Sequence, residues 1–177
     1  MKITDLLKAC SIELNGAPAT KEETIREMVG LMAKGGNISD TDKYMEGVFA
    51  REEEGTTGIG EGIAIPHAKN DAVRAPGLAA MVIPNGVDYD SMDGEPVNLV
   101  FLIAAPNTED NVHLEVLSRL SMLLMDESFK ENLLKAATAE EFLGCVDRAE
   151  KEKFEDEKPQ AAPETGYRIL AVTACPT

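Results

Sequence analysis

His67 and His113 are the only two histidines in a chain of 177 residues, so their surroundings carry the search for chemistry. His67 closes the run Ile63-Ala-Ile-Pro-His67. Proline fixes its own φ and biases Ile65 to an extended conformation, so the imidazole is expected to be presented rigidly at a sheet edge. His113 falls in the first turn of an expected helix. There the positive end of the macrodipole disfavours imidazolium and favours a nearby anion. A neutral imidazole is a good nucleophile, and an unperturbed pKa of ~6.5 leaves histidine mostly neutral at pH 7. A phosphoryl group on His67 could rest against those N–H groups and against His113 as a donor. Taken singly, a histidine after a proline is more often a loop residue, and one in a first turn a solvated group. The passage read as a whole decides between these readings.

The elements that must position them are legible from periodicity. A short helix over Thr4–Lys8 runs into a strand at Ser11–Leu14, closed by Asn15-Gly16. Thr20 and Glu23 form a capping box. Ile25, Met28, Val29 and Met32 follow on one helical face, and Gly35-Gly36 ends the helix. Ser39 with Asp42 opens another, which carries Tyr44, Met45, Val48 and Phe49 towards Arg51. A glycine-rich passage, Gly55 to Gly62, precedes Ile63-Ala-Ile65. It has no Gly-Lys-Ser/Thr of a Walker A loop, although its glycines would let backbone amides approach an anion. Leu78–Ile83 and Val97–Ala104 read as strands, the second apolar almost throughout and so central in a sheet covered on both faces. Asn85-Gly86 and Met92-Asp93-Gly94 supply turns between them. Asp110 or Asn111 caps a helix whose Leu114, Leu117, Leu120, Ser121 and Leu124 repeat at helical spacing. Ser128–Ala137 reads as a short helix, and Thr138 with Glu141 caps one through Phe142, Cys145 and Val146. Strands interleaved with helices on a mixed sheet give an α/β layered domain.

Composition narrows the function classes. The formal net charge is −15, which repels phosphate backbones and argues against nucleic acid; it favours a basic partner. No stretch reaches the ~18–20 apolar residues of a membrane span, and the opening lacks a secretory signal, so a cytoplasmic address without membrane insertion is expected. Cys10, Cys145 and Cys175, odd in number and widely spaced, make neither a disulfide framework nor a zinc site. Cys10 and Cys145 are expected as packed core thiols. Glu52–Glu54 are expected to be solvated, close enough to His67 to help draw a basic partner. Composition shifts after Glu150: residues 151–166 suit a flexible linker, and 167–177 resemble a buried first strand followed by a loop at Cys175.

The stretch Arg51-Glu-Glu-Glu-Gly-Thr-Thr-Gly-Ile-Gly-Glu-Gly-Ile-Ala-Ile-Pro-His67-Ala resembles the signature of the mannitol/fructose-type IIA domains of the bacterial phosphoenolpyruvate-dependent sugar phosphotransferase system. The likeness extends over residues 1–150 and takes in Asn-Leu-Val-Phe-Leu-Ile-Ala-Ala-Pro and the His113-Leu helix start. It implies a three-layer fold, a mixed parallel/antiparallel sheet flanked by helices on both faces. It implies that His67 is phosphorylated, that His113 bonds the phosphoryl group or orients the ring, and that Arg51 steadies the phosphate. Glu61 matches a family acid that orients His67 or meets the partner. Thr57 is added from its position in the loop as a further hydroxyl donor. Phosphoryl transfer needs mostly positioning and electrostatic stabilisation, and no metal or organic cofactor is called for.

Ile169-Leu-Ala-Val-Thr-Ala-Cys175-Pro-Thr resembles the start of a fructose-type IIB domain, whose cysteine accepts the phosphoryl group and passes it to sugar at a membrane IIC domain. The implied relay runs from phospho-HPr to His67 and on to a IIB cysteine in the same full-length chain. The competing reading is a regulatory module of the nitrogen type, in which phosphorylation of His67 controls protein partners. A histidine-ligated metallohydrolase fits poorly, because two histidines without HExxH make no convincing metal site.

Overall fold

The computed structural model of the chain describes residues 3–107 and 112–154. Short α1 (Ile3–Leu6) leads straight into edge strand β1 (Leu7–Glu13). Two helices follow, α2 (Lys21–Lys34) and α3 (Thr41–Glu54). The strands β2 (Gly58–Gly60), β3 (Ile63–Ala64) and β4 (His67–Asn70) then precede the long pair β5 (Gly77–Val87) and β6 (Val97–Pro106). Helices α4 (Val112–Leu124), α5 (Glu127–Lys135) and α6 (Ala139–Phe154) complete the described chain.

All six strands join one mixed sheet in the order β1-β5-β6-β3-β2, with β4 also paired to β6. β1 runs parallel to β5, β5 antiparallel to β6, and both β3 and β4 parallel to β6. The expectation that Val97–Ala104 is a central strand holds, and alternation along β6 explains why both its faces are apolar. Val100, Leu102 and Ala104 join a core with Ile25, Met28, Tyr44 and Val48 of α2 and α3. Leu99, Phe101 and Ile103 join an opposite core with Val116, Leu120, Leu133 and Phe142 of the C-terminal helices. Successive residues of a strand point to opposite faces, so one strand anchors both helical layers. The three-layer α/β architecture is the expected one.

The caps show how local chemistry fixes the helices. Thr20 accepts the Glu23 amide at 3.1 Å, and Thr138 accepts that of Glu141 at 3.1 Å, as the sequence predicts. The start of α3 differs: Asp40, not Ser39, is the cap, its carboxylate accepting the Lys43 amide at 3.1 Å. Ser39 instead donates to Ala72 O at 3.0 Å. Asn85-Gly86 lies inside β5 rather than closing it, with Gly86 at φ 74° and a register shift between Val82 and Val87. That positive φ is inexpensive only for glycine, and it lets the strand carry an irregularity where a turn was expected.

Three other expectations change. Cys10 is exposed, not a core thiol, because a register shift in edge strand β1 turns Lys8 to Cys10 outward. Leu114 is 52% exposed, whereas Val116, Leu120, Leu123 and Leu124 form the buried stripe of α4. Residues 151–154, expected to begin a flexible linker, instead continue helix α6 through Phe154. The capping positions Asp110 and Asn111, the remaining linker and Cys175 lie outside the described residues.

Candidate active site

Both β3 and β4 lie on the same side of β6, Ile63 opposite Leu99 and His67 opposite Ile103. Pro66 stands between them, and its carbonyl accepts the Ile103 amide at 3.0 Å. Proline has no N–H to offer a ladder, so the chain breaks there and pairs again. His67 therefore opens β4 rather than ending the preceding strand as expected. Its ring is half-buried, and Nδ1 lies 2.9 Å from Ile65 O. A carbonyl oxygen can only accept, so Nδ1 carries a proton, and in the neutral ring the lone pair is at Nε2.

Helix α3 runs antiparallel along β4. Lys43 O accepts the Asn70 side-chain amide at 3.2 Å. One turn on, Gly47 allows the closest approach: a Cβ there would meet Asn70 Nδ2 at 2.7 Å and Ala68 Cβ at 3.5 Å. Residues four apart share a helix face, so the next residue on this stripe is Arg51, and the strand contacts move from Asn70 towards His67. Arg51 is half-buried, and its Nη1 donates to Gly55 O at 2.9 Å, closing the helix C-terminus. On the other side of the sheet, α4 contacts both β4 and β6. Its first turn contains the backbone of His113, whose side chain is not among those described.

The glycine-rich passage is held from beneath by a buried polar cluster that sequence reading missed. Glu52 is only 9% exposed, which corrects its expected solvation. Its Oε1 accepts the Thr57 amide at 3.1 Å and pairs with Lys21 Nζ at 3.0 Å, while its Oε2 accepts the Thr57 hydroxyl. Tyr89 OH lies 3.2 Å from Thr57 Oγ1. Thr57 has a single hydroxyl proton, given to Glu52, so Tyr89 donates to Thr57. Burial, followed by the neighbouring Glu52 charge, pushes the Tyr89 phenol well above its ordinary range. Thr57 was expected to face a phosphate, yet it is 4% exposed and its proton is committed to Glu52. The missed signal lies in the spacing, since Tyr44, Val48 and Glu52, all buried, are four residues apart along one stripe of α3.

Glu61 occupies the turn between β2 and β3 in the left-handed region, at φ 56°. Its amide donates to Asp93 Oδ2 at 2.9 Å, and its carbonyl accepts from Lys130 Nζ. The backbone is thus clamped from both sides while the side chain stands exposed. The Glu61 amide, then that of Glu95, holds the Asp93 carboxyl below its ordinary value. Among the described residues no group of His, Cys, Asp and Glu side chains gathers to hold a metal. None of the described helices is long and apolar enough to cross a membrane.

Comparison with known proteins places this geometry in a family. A family profile described as phosphoenolpyruvate-dependent sugar phosphotransferase system, EIIA 2, matches residues 5–148. The fructose-specific EIIABC component of Bacillus subtilis (strain 168) is 46% identical over 180 residues, covering 100% of this chain and 28% of that protein. The chain thus spans less than a third of that relative's length. Among solved structures, the nitrogen regulatory protein IIA-Ntr from Neisseria meningitidis superposes with a TM-score of 0.75 at 32% identity, covering 81% of this chain and 98% of that one. The complex of enzyme IIA-mannitol with phosphorylated enzyme IIB-mannitol from Escherichia coli gives 0.70 at 32% identity, covering 81% and 99%. With an Arg-Glu pair, a Thr-Gly-Ile-Gly loop and an Ile-Pro-His strand entry on this fold, the chain belongs to the fructose/mannitol-type EIIA family of the sugar phosphotransferase system, whose members are phosphotransferases.

Proposed function

We propose that the domain accepts a phosphoryl group on Nε2 of His67 from phospho-HPr and passes it to a IIB cysteine, within a relay that takes up and phosphorylates fructose. The observation that carries this reading is the 2.9 Å contact from His67 Nδ1 to Ile65 O, which puts the lone pair on Nε2. In the first step that lone pair forms a bond to phosphorus as the donor's N–P bond breaks, returning its electrons to the donor ring. Positive charge then develops on the His67 imidazole, where Nδ1–H donates to the Ile65 carbonyl more strongly than before. In the second step a thiolate attacks the same phosphorus and the His67 N–P bond breaks, restoring the neutral ring. No proton need move at either step.

Arg51 is proposed to steady the equatorial oxygens, supported by its place on the α3 stripe that follows β4. His113 is proposed as the second donor, supported by the contact of α4 with β4. Glu61 is proposed to meet the partner protein, with its side chain exposed and its backbone fixed. The fructose branch and a IIB acceptor are supported by the EIIABC relative, whose match extends over the whole of this chain, Cys175 included. The likeness to IIA-Ntr supports the same phosphohistidine chemistry used as a signal. A handover assay separates the two: phosphorylated protein should lose its label to a fructose-type IIB domain faster than to a mannitol-type one. Label retained in the presence of both would favour the regulatory reading.

A further inference from the structure

Glu52 lies in the turn of helix after Val48 and next to Arg51, yet its carboxylate faces the protein interior rather than the phosphate side. A buried carboxylate is costly unless paired and hydrogen-bonded, and both hydrogen bonds that Glu52 accepts from Thr57 lead towards His67. Lys21 Nζ, at 3.0 Å, supplies the countercharge. The Thr57 amide and hydroxyl supply the other contacts, with Tyr89 behind the hydroxyl at 3.2 Å. Thr57 O in turn accepts the Ile65 amide at 3.0 Å, and Ile65 O accepts His67 Nδ1–H at 2.9 Å. A continuous run of hydrogen bonds therefore links Glu52, through Thr57 and Ile65, to the ring whose lone pair does the chemistry.

We infer that Glu52 is a positioning residue: by gripping Thr57 at two points it fixes the peptide that aims the Ile65 carbonyl at His67, and so selects the Nδ1–H tautomer. The linkage is mechanical. The Thr57 amide and carbonyl belong to different peptide groups, as do those of Ile65, so charge is not relayed along the run, but the position of each residue is set by the one before. A carboxylate suits the task because one oxygen can hold the Thr57 amide while the other holds its hydroxyl, both as acceptors. With Glu52 released, the Ile65 carbonyl would lose its fixed aim. The ring could then populate the other tautomer, whose protonated Nε2 has no lone pair for phosphorus. The inference rests on the reading of His67 as the phosphoryl acceptor, but the tautomer can be observed without any phosphorylation.

The experiment is long-range proton–nitrogen NMR of the imidazoles at neutral pH, with His67→Gln to assign the signals, together with the rate of acceptance from phospho-HPr. Wild-type protein should show His67 with a lone-pair Nε2. Glu52→Ala should give a mixture of tautomers and slow acceptance about tenfold, in kcat more than in KM, as expected for a misplaced reacting group. Glu52→Gln, whose amide oxygen still accepts the Thr57 N–H, should restore the single tautomer and most of the rate. If Glu52→Ala does not fold, Thr57→Val decides the matter, since it removes the hydroxyl grip at nearly constant volume. A single Nε2 lone-pair tautomer and an unchanged rate in the folded variants would overturn the inference and leave Glu52 as a stabilising residue only. A wild-type protein with the expected tautomer but no label on His67 would instead overturn the carrier reading and leave the tautomer result standing.

Discussion

His67 is defined by three short-range facts: a proline before it, a carbonyl two residues back, and a strand that begins at it. Sequence points to the residue only through the whole passage from Arg51 to Ala68 and its resemblance to the family signature, since a histidine after a proline taken singly is more often a loop residue. It did not reveal the tautomer, since the direction of the Ile65 carbonyl depends on how β3 and β4 both reach β6. Glu52 escaped for a related reason. In a run of three glutamates it looked like solvated charge, and only the four-residue spacing from Tyr44 and Val48 marked it as inward-facing. Arg51 closes its own helix through Gly55 O at 2.9 Å and is proposed to meet phosphate as well. A guanidinium can do both at once with its several fixed donors, whereas an ammonium is a point charge. Arg51→Lys should therefore slow phosphoryl acceptance by roughly tenfold or more with little change in thermal stability. An equal rate from stopped acceptance assays would remove Arg51 from the site.

At the scale of elements, helix starts were legible wherever a threonine cap and a glutamate stood three apart, at Thr20 and Thr138. The start of α3 was displaced by one residue because Ser39, Asp40 and Asp42 are all plausible caps, and tertiary contact with Ala72 takes Ser39 away. The strand irregularity at Gly86 was read as a turn because the dipeptide permits either outcome, and only pairing to β6 decides. The β2–β3 turn is held to the segment before β6 by Asp93, which accepts the amides of Glu61 at 2.9 Å and Glu95 at 3.0 Å. Its folded pKa is lowered from 3.8, first by the Glu61 amide, so the grip is fully present above pH 3.8 and is lost as pH falls through the lower folded value. The Glu61 and Glu95 amide signals should accordingly titrate with a midpoint below 3.8. A shared midpoint at or above that value would show that the carboxylate is not their partner.

At the scale of the whole described molecule, one sheet divides two apolar cores, and Tyr44 and Tyr89, both in the core against α2 and α3, set an alkaline limit. Burial raises the pKa of Tyr44 well above 10.0, and burial with the Glu52 charge raises that of Tyr89. Tyr44 also donates to Ile103 O at 2.7 Å, directly opposite His67 in the register of β4 and β6. A raised folded pKa contributes stability that is complete below the unfolded pKa, near 10, and is lost as pH climbs above it. The melting temperature should hold steady to about pH 9.5 and then fall, and Tyr89→Phe should soften that fall. A melting temperature unchanged to pH 11 would contradict the burial of both phenols.

The central claim concerns one atom of one residue, and one reaction tests it. The protein is incubated with phosphoenolpyruvate, Enzyme I and HPr, and its intact mass and modified site are read under alkaline conditions that preserve phosphohistidine. A single added phosphoryl group on His67, attached through Nε2 and absent from His67→Ala, is the predicted result. Label on another residue, or attachment through Nδ1, would contradict the account.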